Sequence, residues 1–299
     1  MINEMSVVIT TYNRPELLKR CIESIYSQNY SLIEIIVVDD HSVPSYKNTI
    51  IDMYPNIKYI YQKENRGPGI ARNKGIKLAR NNFVILIDDD DIFIEGAFNE
   101  IKKFLSNNSD LNYPVFNFLR SNAKLDYNKY FFIYSFSNLI EGSIVGDVTH
   151  IINKRIFEGE NQYKFPNSRI GAELLLWYRI AIDYGYPVIN KIIVNLMDDS
   201  DERLTNINRQ VKNAPDFAKY QIDIIDNFEE EIIKVNNLSF LVTKYKGAIT
   251  YLLLAGKKKE AFKFWKRLCS FSKKQIVLGL LFLLPTKLIV LLFYRFRNS

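Results

Sequence analysis

Short apolar runs alternate with stretches of helical period through the first hundred residues. Residues 6–10 (SVVIT) and 34–38 (EIIVV) are continuous, β-branched and followed by polar side chains, as strands buried on both faces are. Between them Leu17, Leu18, Cys21, Ile22 and Ile25 recur at helical spacing over residues 15–28, and Pro15 stands at the first turn, where no backbone N–H is needed. Residues 58–61 then predict a third strand, 69–80 a second helix, 83–87 (FVILI) a fourth strand and 95–105 a third helix. This alternation implies an α/β fold, a mostly parallel sheet with helices on both faces, in which ligands bind at the carboxyl ends of the strands.

Beyond residue 105 the pattern weakens. Residues 112–138, rich in Tyr, Phe and Asn, predict strands with long loops, 170–184 an amphipathic helix and 188–197 a strand; past Asp198 the chain turns acidic and polar, then helical to its end. A boundary near residue 210 separates a sheet domain, 1–210, from a helical region, 211–299. The 47% hydrophobic and 24% charged content fits a folded chain and excludes disorder and low complexity. Cys21 and Cys269 lie at opposite ends, which excludes a disulfide scaffold or zinc ribbon; with His41 and His150 the sole histidines, a zinc enzyme is not expected.

Charge changes the picture of the helical region. From residue 240 onward thirteen Lys and Arg face the single acid Glu260, a net of +12, so the preceding 239 residues carry −5 of the whole chain's +7. A basic tail on an acidic body reads as a contact surface for something anionic. The tail also holds the apolar blocks 276–284 (IVLGLLFLL) and 288–294 (LIVLLFY), far more than a nucleic-acid surface uses, so an anionic membrane is the expected partner and nucleic acid is not. A span needs about 20 mostly apolar residues, and these blocks are split by Pro285 and Lys287. An interfacial or re-entrant helix pair is therefore expected rather than a span, with a buried helical hairpin as the alternative. The amino terminus, MINEMSVVITTYN, shows no basic segment followed by an apolar one, so no secretory signal is expected and the location expected is the cytoplasmic face of the cell membrane, peripheral or monotopic through the tail.

The sharpest chemical feature is Asp88-Asp89-Asp90-Asp91, directly after the fourth strand. Four adjacent carboxylates repel one another, and a divalent cation is the usual compensation; Mg2+ or Mn2+ takes one or two carboxylates and completes its shell with phosphate oxygens and water. An acidic cluster opening a helix is the structural alternative. Asp39-Asp40 closes the second strand at the same edge, where an acid accepts from a ribose hydroxyl or a base N–H, or where Asp40-His41-Ser42 forms a simple turn. With Thr10-Thr11-Tyr12-Asn13 after the first strand, three polar edges converge, and a nucleotide site is the economical reading.

The runs VVITTYNRPELLKRCIESIYSQNY, IEIIVVDDHS and ENRGPGIARNKGIKLARNNFVILIDDDD resemble the nucleotide-sugar domain of family 2 glycosyltransferases, which have the GT-A fold; the likeness covers residues 4–200 and says nothing of which sugar. It implies that Asp40 recognises the uracil, that Thr10 lines the same pocket with Tyr12 beside it, and that Asp88, Asp89 and Asp90 match the D-x-D acids. Asp90 is then a metal ligand, with Asp88 a second ligand and Asp88 or Asp89 near the ribose. Arg66, in Asn65-Arg66-Gly67, and Arg72-Asn73 fall beside the nucleotide, although Arg72 and Asn73 also suit packing on a helix surface. An inverting transferase needs a base for the acceptor hydroxyl. Family members often carry Glu-Asp opening a helix followed by L-W-x-R; here residues 171–179 (GAELLLWYR) match, but the pair has become Ala172-Glu173. The resemblance makes Glu173 the catalytic base, one methylene longer than the family's Asp, against a reading as a solvent-facing first-turn glutamate. Arg203, in a polar loop, is a candidate to cover the departing diphosphate. Trp177 is a sugar platform or, by preference, core, and His150 faces the acceptor or is a satisfied structural histidine.

The resemblance thus implies an inverting, Mn2+- or Mg2+-dependent hexosyltransferase. It would move sugar from a UDP-sugar to a glycan acceptor, and the tail points to a polyprenyl-diphosphate-linked acceptor in bacterial O-antigen or capsule synthesis. Two other classes stay open: a metal-dependent nucleotidyltransferase, for which no glycine-rich basic loop follows the first strand, and a non-catalytic membrane-bound sugar-nucleotide sensor, if the Ala172-Glu173 departure disables the base.

Overall fold

The computed structural model describes residues 4–28, 30–47, 49–54, 56–125, 129–197 and 207–298. It divides into two compact units, Met1–Ser200 and Asp201–Ser299. The first opens with β1 (Met5–Thr11), α1 (Pro15–Tyr26), β2 (Ile33–Asp39), β3 (Ile57–Tyr61), α2 (Pro68–Leu78) and β4 (Phe83–Asp88). Strands β3, β2, β1 and β4 lie side by side and parallel, in that order. Their pleat explains the continuous apolar runs. Val7 and Ile9 point into a core with Leu18 and Ile22 of α1, while Val8, between them, packs against Gly75 of α2, where a Cβ would collide with its methyl groups. Each fully buried Leu or Ile contributes about 1.5–3 kcal/mol. Helices therefore cover both faces of the parallel sheet, as the α/β reading requires.

The register sets the site. Thr10 of β1 lies opposite Asp88 of β4 and Thr11 opposite Asp39 of β2, so the polar ends of three strands share one edge. Asp88 ends β4, Asp89 and Asp90 make a turn, and Asp91 opens a short strand absent from the sequence reading, β5 (Asp91–Phe93).

The rest of the sheet is mixed. After α3 (Ala97–Asn107) come β6 (Val115–Arg120), β7 (Phe131–Tyr134), α4 (Phe136–Glu141), β8 (Val148–Asn153), α5 (Lys154–Phe157), α6 (Leu174–Asp183) and β9 (Tyr186–Leu196). Beyond β4 the order continues β8-β6-β9-β5, with β7 also on β9; β6 and β9 pair in parallel and the other contacts are antiparallel. The helix expected from residue 170 begins at Leu174. Gly171 and Ala172 adopt φ of +92° and +71°, a left-handed conformation that cannot continue into a right-handed helix, and Glu173 becomes the N-cap.

The second unit is helical, as its sequence suggests: α7 (Ile207–Lys212), α8 (Ala214–Lys234), α9 (Leu238–Leu254), α10 (Lys258–Phe271), a 3-10 segment (Lys273–Leu283) and α11 (Thr286–Asn298). Gly279 lies against the Trp265 ring, where a Cβ would come within 2.8 Å, and Lys258 caps the 3-10 segment by donating to the carbonyls of Phe282 and Leu284. The apolar blocks are not a buried hairpin. Ile276, Val277, Leu280, Leu283 and Leu291 are 58–80% exposed. Among the described residues no helix is long and apolar enough to cross a membrane.

Candidate active site

Arginines surround the acidic tetrad, among them Arg20, whose Nη2 donates to the Asp90 carbonyl at 3.2 Å. Arg14, just before α1, donates to Asp90 Oδ2 at 2.9 Å and to Asp89 Oδ1 at 3.3 Å. Arg72 of α2 donates through Nη2 to Asp88 Oδ1 at 2.6 Å and through Nη1 to Glu173 Oε1 at 2.5 Å. Arg120, the last residue of β6, pairs with Asp91 at 2.5 Å and with Asp88 at 3.5 Å. Much of the compensation that sequence reasoning assigned to a cation is thus supplied by guanidinium groups. Arg14 and Arg120 escaped that reading. Arg14 stood in view within the polar stretch after the first strand, whereas nothing local marks Arg120, which reaches the tetrad through the pairing of β6 with β8 and β9.

The four carboxyls differ electrostatically because their neighbours differ. Burial works to raise Asp88, but Arg72 and Arg120 outweigh it and hold it well below the usual carboxylate range. Burial raises Asp89 to about 7, with Asp90 and Asp88 adding to it against the Thr11 hydrogen bond (2.7 Å) and Arg14. Asp91 is likewise pushed up to about 7 by burial, against Arg120, and Asp90 is raised by burial and by Asp88. One carboxyl is thus held ionised by arginines, while burial raises the other three. Among the described residues no three acidic, His or Cys side chains converge on one point. A nucleotide-bound Mg2+ or Mn2+ does not need them, since phosphate oxygens and water complete its shell. Asp88 and Asp90 are hard oxygen donors and fit such an ion by chemistry.

The second cluster lies at the end of β2. Asp40 accepts from the backbone N–H of Arg66 (2.9 Å) and Gly67 (2.7 Å) and from Gln62 Nε2 (2.7 Å); burial raises its pKa and these bonds oppose the rise. Gly67 has φ of +91°, and a Cβ there would sit 2.5 Å from the Ser168 carbonyl, so glycine is required to bring both N–H groups to Asp40. Asp39 is structural, accepting from Ser42 N at 2.7 Å and from the Tyr59 hydroxyl at 2.5 Å. Thr10 Oγ1 approaches Asp88 at 3.5 Å. The side chains of Tyr12 and Arg66 are about half exposed. Asn73 exchanges two 2.9 Å bonds with the Phe165 backbone and is a structural residue. Hydrogen bonds and ion pairs join Thr10, Asp88, Arg72 and Glu173 in one network, Arg14 ties Asp89 to Asp90 beside it, and Asp40 holds the backbone of Arg66 at the adjoining strand end. Arg203 lies outside the described residues.

Arg72, Asp88, Arg120, Asp147, His150 and Glu173 supply polar walls to a cavity of about 340 Å3. Trp177 is 4% exposed and packs edge-on to Phe165, which makes it core, and the His150 ring covers it at 4.1 Å. Burial holds His150 well below the usual histidine value, helped by Arg120 and Arg72.

The polar edge of the parallel sheet, its carboxylates and the adjoining cavity together form one candidate site. Residues 6–179, more than half of the chain, match the model of glycosyl transferase family 2, and the chain belongs to that family. An uncharacterized glycosyltransferase of Rickettsia conorii is 27% identical over 301 residues, covering 97% of this chain and 47% of the relative, so this chain spans about half the relative's length. The Escherichia coli UDP-Glc:alpha-D-GlcNAc-diphosphoundecaprenol beta-1,3-glucosyltransferase WfgD is 24% identical over 197 residues, 62% of this chain and 73% of its own. S. aureus TarS 1–349 in complex with UDP-GlcNAc superposes with a TM-score of 0.58 at 16% identity, over 91% of this chain and 92% of that one. The mannosyltransferase PcManGT from Pyrobaculum calidifontis, in complex with GDP-Man and Mn2+, does so with a TM-score of 0.56 at 15% identity, over 97% and 86%. These likenesses show the fold, the GT-A fold that the sequence motifs imply.

Proposed function

We propose that the chain is an inverting, metal-dependent glycosyltransferase that moves a sugar from a UDP-sugar to a glycan acceptor. The observation that carries this reading is the Arg72 bridge, which ties the nucleotide-edge carboxylate Asp88 to Glu173 at the wall of one cavity. Asp40, with Thr10, Tyr12 and Arg66 near it, holds the uracil end. Asp88 and Asp90 hold Mg2+ or Mn2+, with Asp89 at the ribose side, and the bound ion supplies positive charge against the diphosphate. Arg72 keeps Glu173 in the cavity and adds a second cation there, and Arg203 extends this role if it reaches the diphosphate. Glu173 takes the proton from the acceptor hydroxyl as its oxygen bonds to the anomeric carbon; the bond from that carbon to the β-phosphate oxygen breaks, and UDP leaves with the electron pair. Displacement from the opposite face inverts the carbon.

The acceptor in this reading is lipid-linked, in synthesis of a bacterial surface polysaccharide. The diphosphoundecaprenol acceptor in the E. coli relative's name and the exposed apolar, basic surface of the second unit support it. That surface would hold the protein peripherally on the cytoplasmic face of an anionic membrane, since each Lys or Arg near such a surface adds about 1 kcal/mol.

The test is UDP release from a panel of UDP-sugars with Mn2+ or Mg2+ and no acceptor. Slow hydrolysis of one donor that stops with chelator and in Asp90→Ala is the expected result. Release that persists in both would remove the metal from the proposal; no release and no donor binding by calorimetry would remove the UDP-sugar.

A further inference from the structure

Asn117 is a fully buried polar residue in the centre of the sheet, a position that costs stability unless every polar atom is paired. Its partners fix more than its own orientation. Nδ2 lies 2.8 Å from the Pro187 carbonyl, and a carbonyl only accepts, so the NH2 group must face it. Oδ1 is then the atom 2.7 Å from His150 Nδ1, on the facing strand in register. Oδ1 also only accepts, so Nδ1 carries the proton. The neutral ring therefore leaves Nε2 as a bare lone pair. Stacking on Trp177, with centroids 4.1 Å apart, sets the ring plane, and no protein partner for Nε2 is found among the described residues.

The cavity gives that lone pair its context. Arg72 and Arg120 are donors that accept nothing, Glu173 is tied to Arg72, and His150 lines the same space. A sugar hydroxyl both donates and accepts, and meets complementary groups there.

Building on the UDP-sugar reading, we propose that His150 is a specificity-determining residue whose Nε2 accepts a hydrogen bond from one hydroxyl of the sugar in this cavity, with Asn117 positioning it by fixing the tautomer. The hydroxyl belongs either to the transferred sugar or to the acceptor glycan, and the two arms of the test separate these sources.

The experiment compares wild type, His150→Phe, which keeps a ring on Trp177 and removes both nitrogens, and His150→Gln, which restores an acceptor oxygen. In the first arm, calorimetry with Mn2+ measures UDP, the UDP-sugar hydrolysed by the wild type, and its mono-deoxy analogues. If the transferred sugar supplies the hydroxyl, His150→Phe binds UDP normally and the UDP-sugar about three- to tenfold more weakly, and one deoxy analogue loses affinity in the wild type but not in the variant. In the second arm, transfer to GlcNAc-diphosphoundecaprenol reports an acceptor contact as a raised acceptor KM with donor binding unchanged. His150→Gln recovers part of either loss. Equal donor affinity and equal acceptor KM in wild type and His150→Phe overturn the proposal alone, whereas a wild type that binds no UDP-sugar overturns the reading beneath it as well. Should His150→Phe fail to fold, the deoxy series on the wild type decides: no analogue weakened in either arm rejects the contact.

Discussion

Asp88 and Glu173 are held by the two terminal nitrogens of one guanidinium: Arg72 Nη2 lies 2.6 Å from Asp88 and Nη1 2.5 Å from Glu173. The bridge makes the position of Glu173 depend on Asp88 at the strand edge. Replacing Arg72 with Gln leaves two half-buried carboxylates without their shared cation. Loss of hydrogen bonds to charged groups of this kind costs about 1.5–3 kcal/mol. Chemical denaturation should show that loss, and donor binding should weaken with it; a variant of unchanged stability would mean that the bridge is not populated in solution.

Glu173→Gln keeps the shape of the side chain and a hydrogen-bond acceptor for Arg72, and removes the ability to take a proton. Donor affinity should hold within about twofold while transfer falls by about 10²–10⁴-fold, the usual worth of a positioned base. Transfer at the wild-type rate would assign the base elsewhere.

His150 predicts an acid limb in stability. Burial depresses its folded-state pKa well below the ordinary value, with Arg120 and Arg72 acting in the same direction. Above the unfolded value of about 6.5 the ring is neutral in both states and its contribution is complete. As pH falls below that, the unfolded chain binds a proton that the folded chain refuses, and stability is lost on the way down to the folded pKa. Between pH 7.5 and 5.5 the wild type should therefore lose more stability than His150→Phe does. Parallel pH profiles of the two proteins in urea unfolding would contradict it.

Leu280 and Leu283 are 62% and 80% exposed on the 3-10 segment that opens with Lys273 and Lys274. Changing both to Asp removes apolar contact and adds repulsion from an anionic surface. Sedimentation with vesicles containing phosphatidylserine should capture the wild type and largely miss the variant, with high salt weakening capture of the wild type. Equal capture of both would place the membrane contact elsewhere or nowhere on this segment.

The first half of the sheet was legible because its signals are local. β1, β2 and β4 are continuous apolar runs, α1 has a clear period, and each strand stops at polar residues. The start of α6 was misplaced because apolar periodicity says nothing about φ, and Gly171 and Ala172 are left-handed. The short β5 begins on the last residue of the acidic tetrad, and its pairing with β9, not its composition, makes it a strand.

The tetrad shows the same division at the site. That Asp88, Asp89, Asp90 and Asp91 stand together after a buried strand is written in the chain, since a strand must end somewhere and its polar end meets the ligand edge. Which of them is held ionised is not. Arg72 comes from α2, Arg14 from the loop before α1 and Arg120 from the far end of β6, and Coulomb interactions act over ångströms of space whatever the separation in sequence. Local pattern established the strands, the helices and the acidic edge. The partner of each carboxylate, the wall on which Glu173 sits and the bare nitrogen of His150 depended on strand pairing and chain packing, because those forces join residues that no sequence window holds at once.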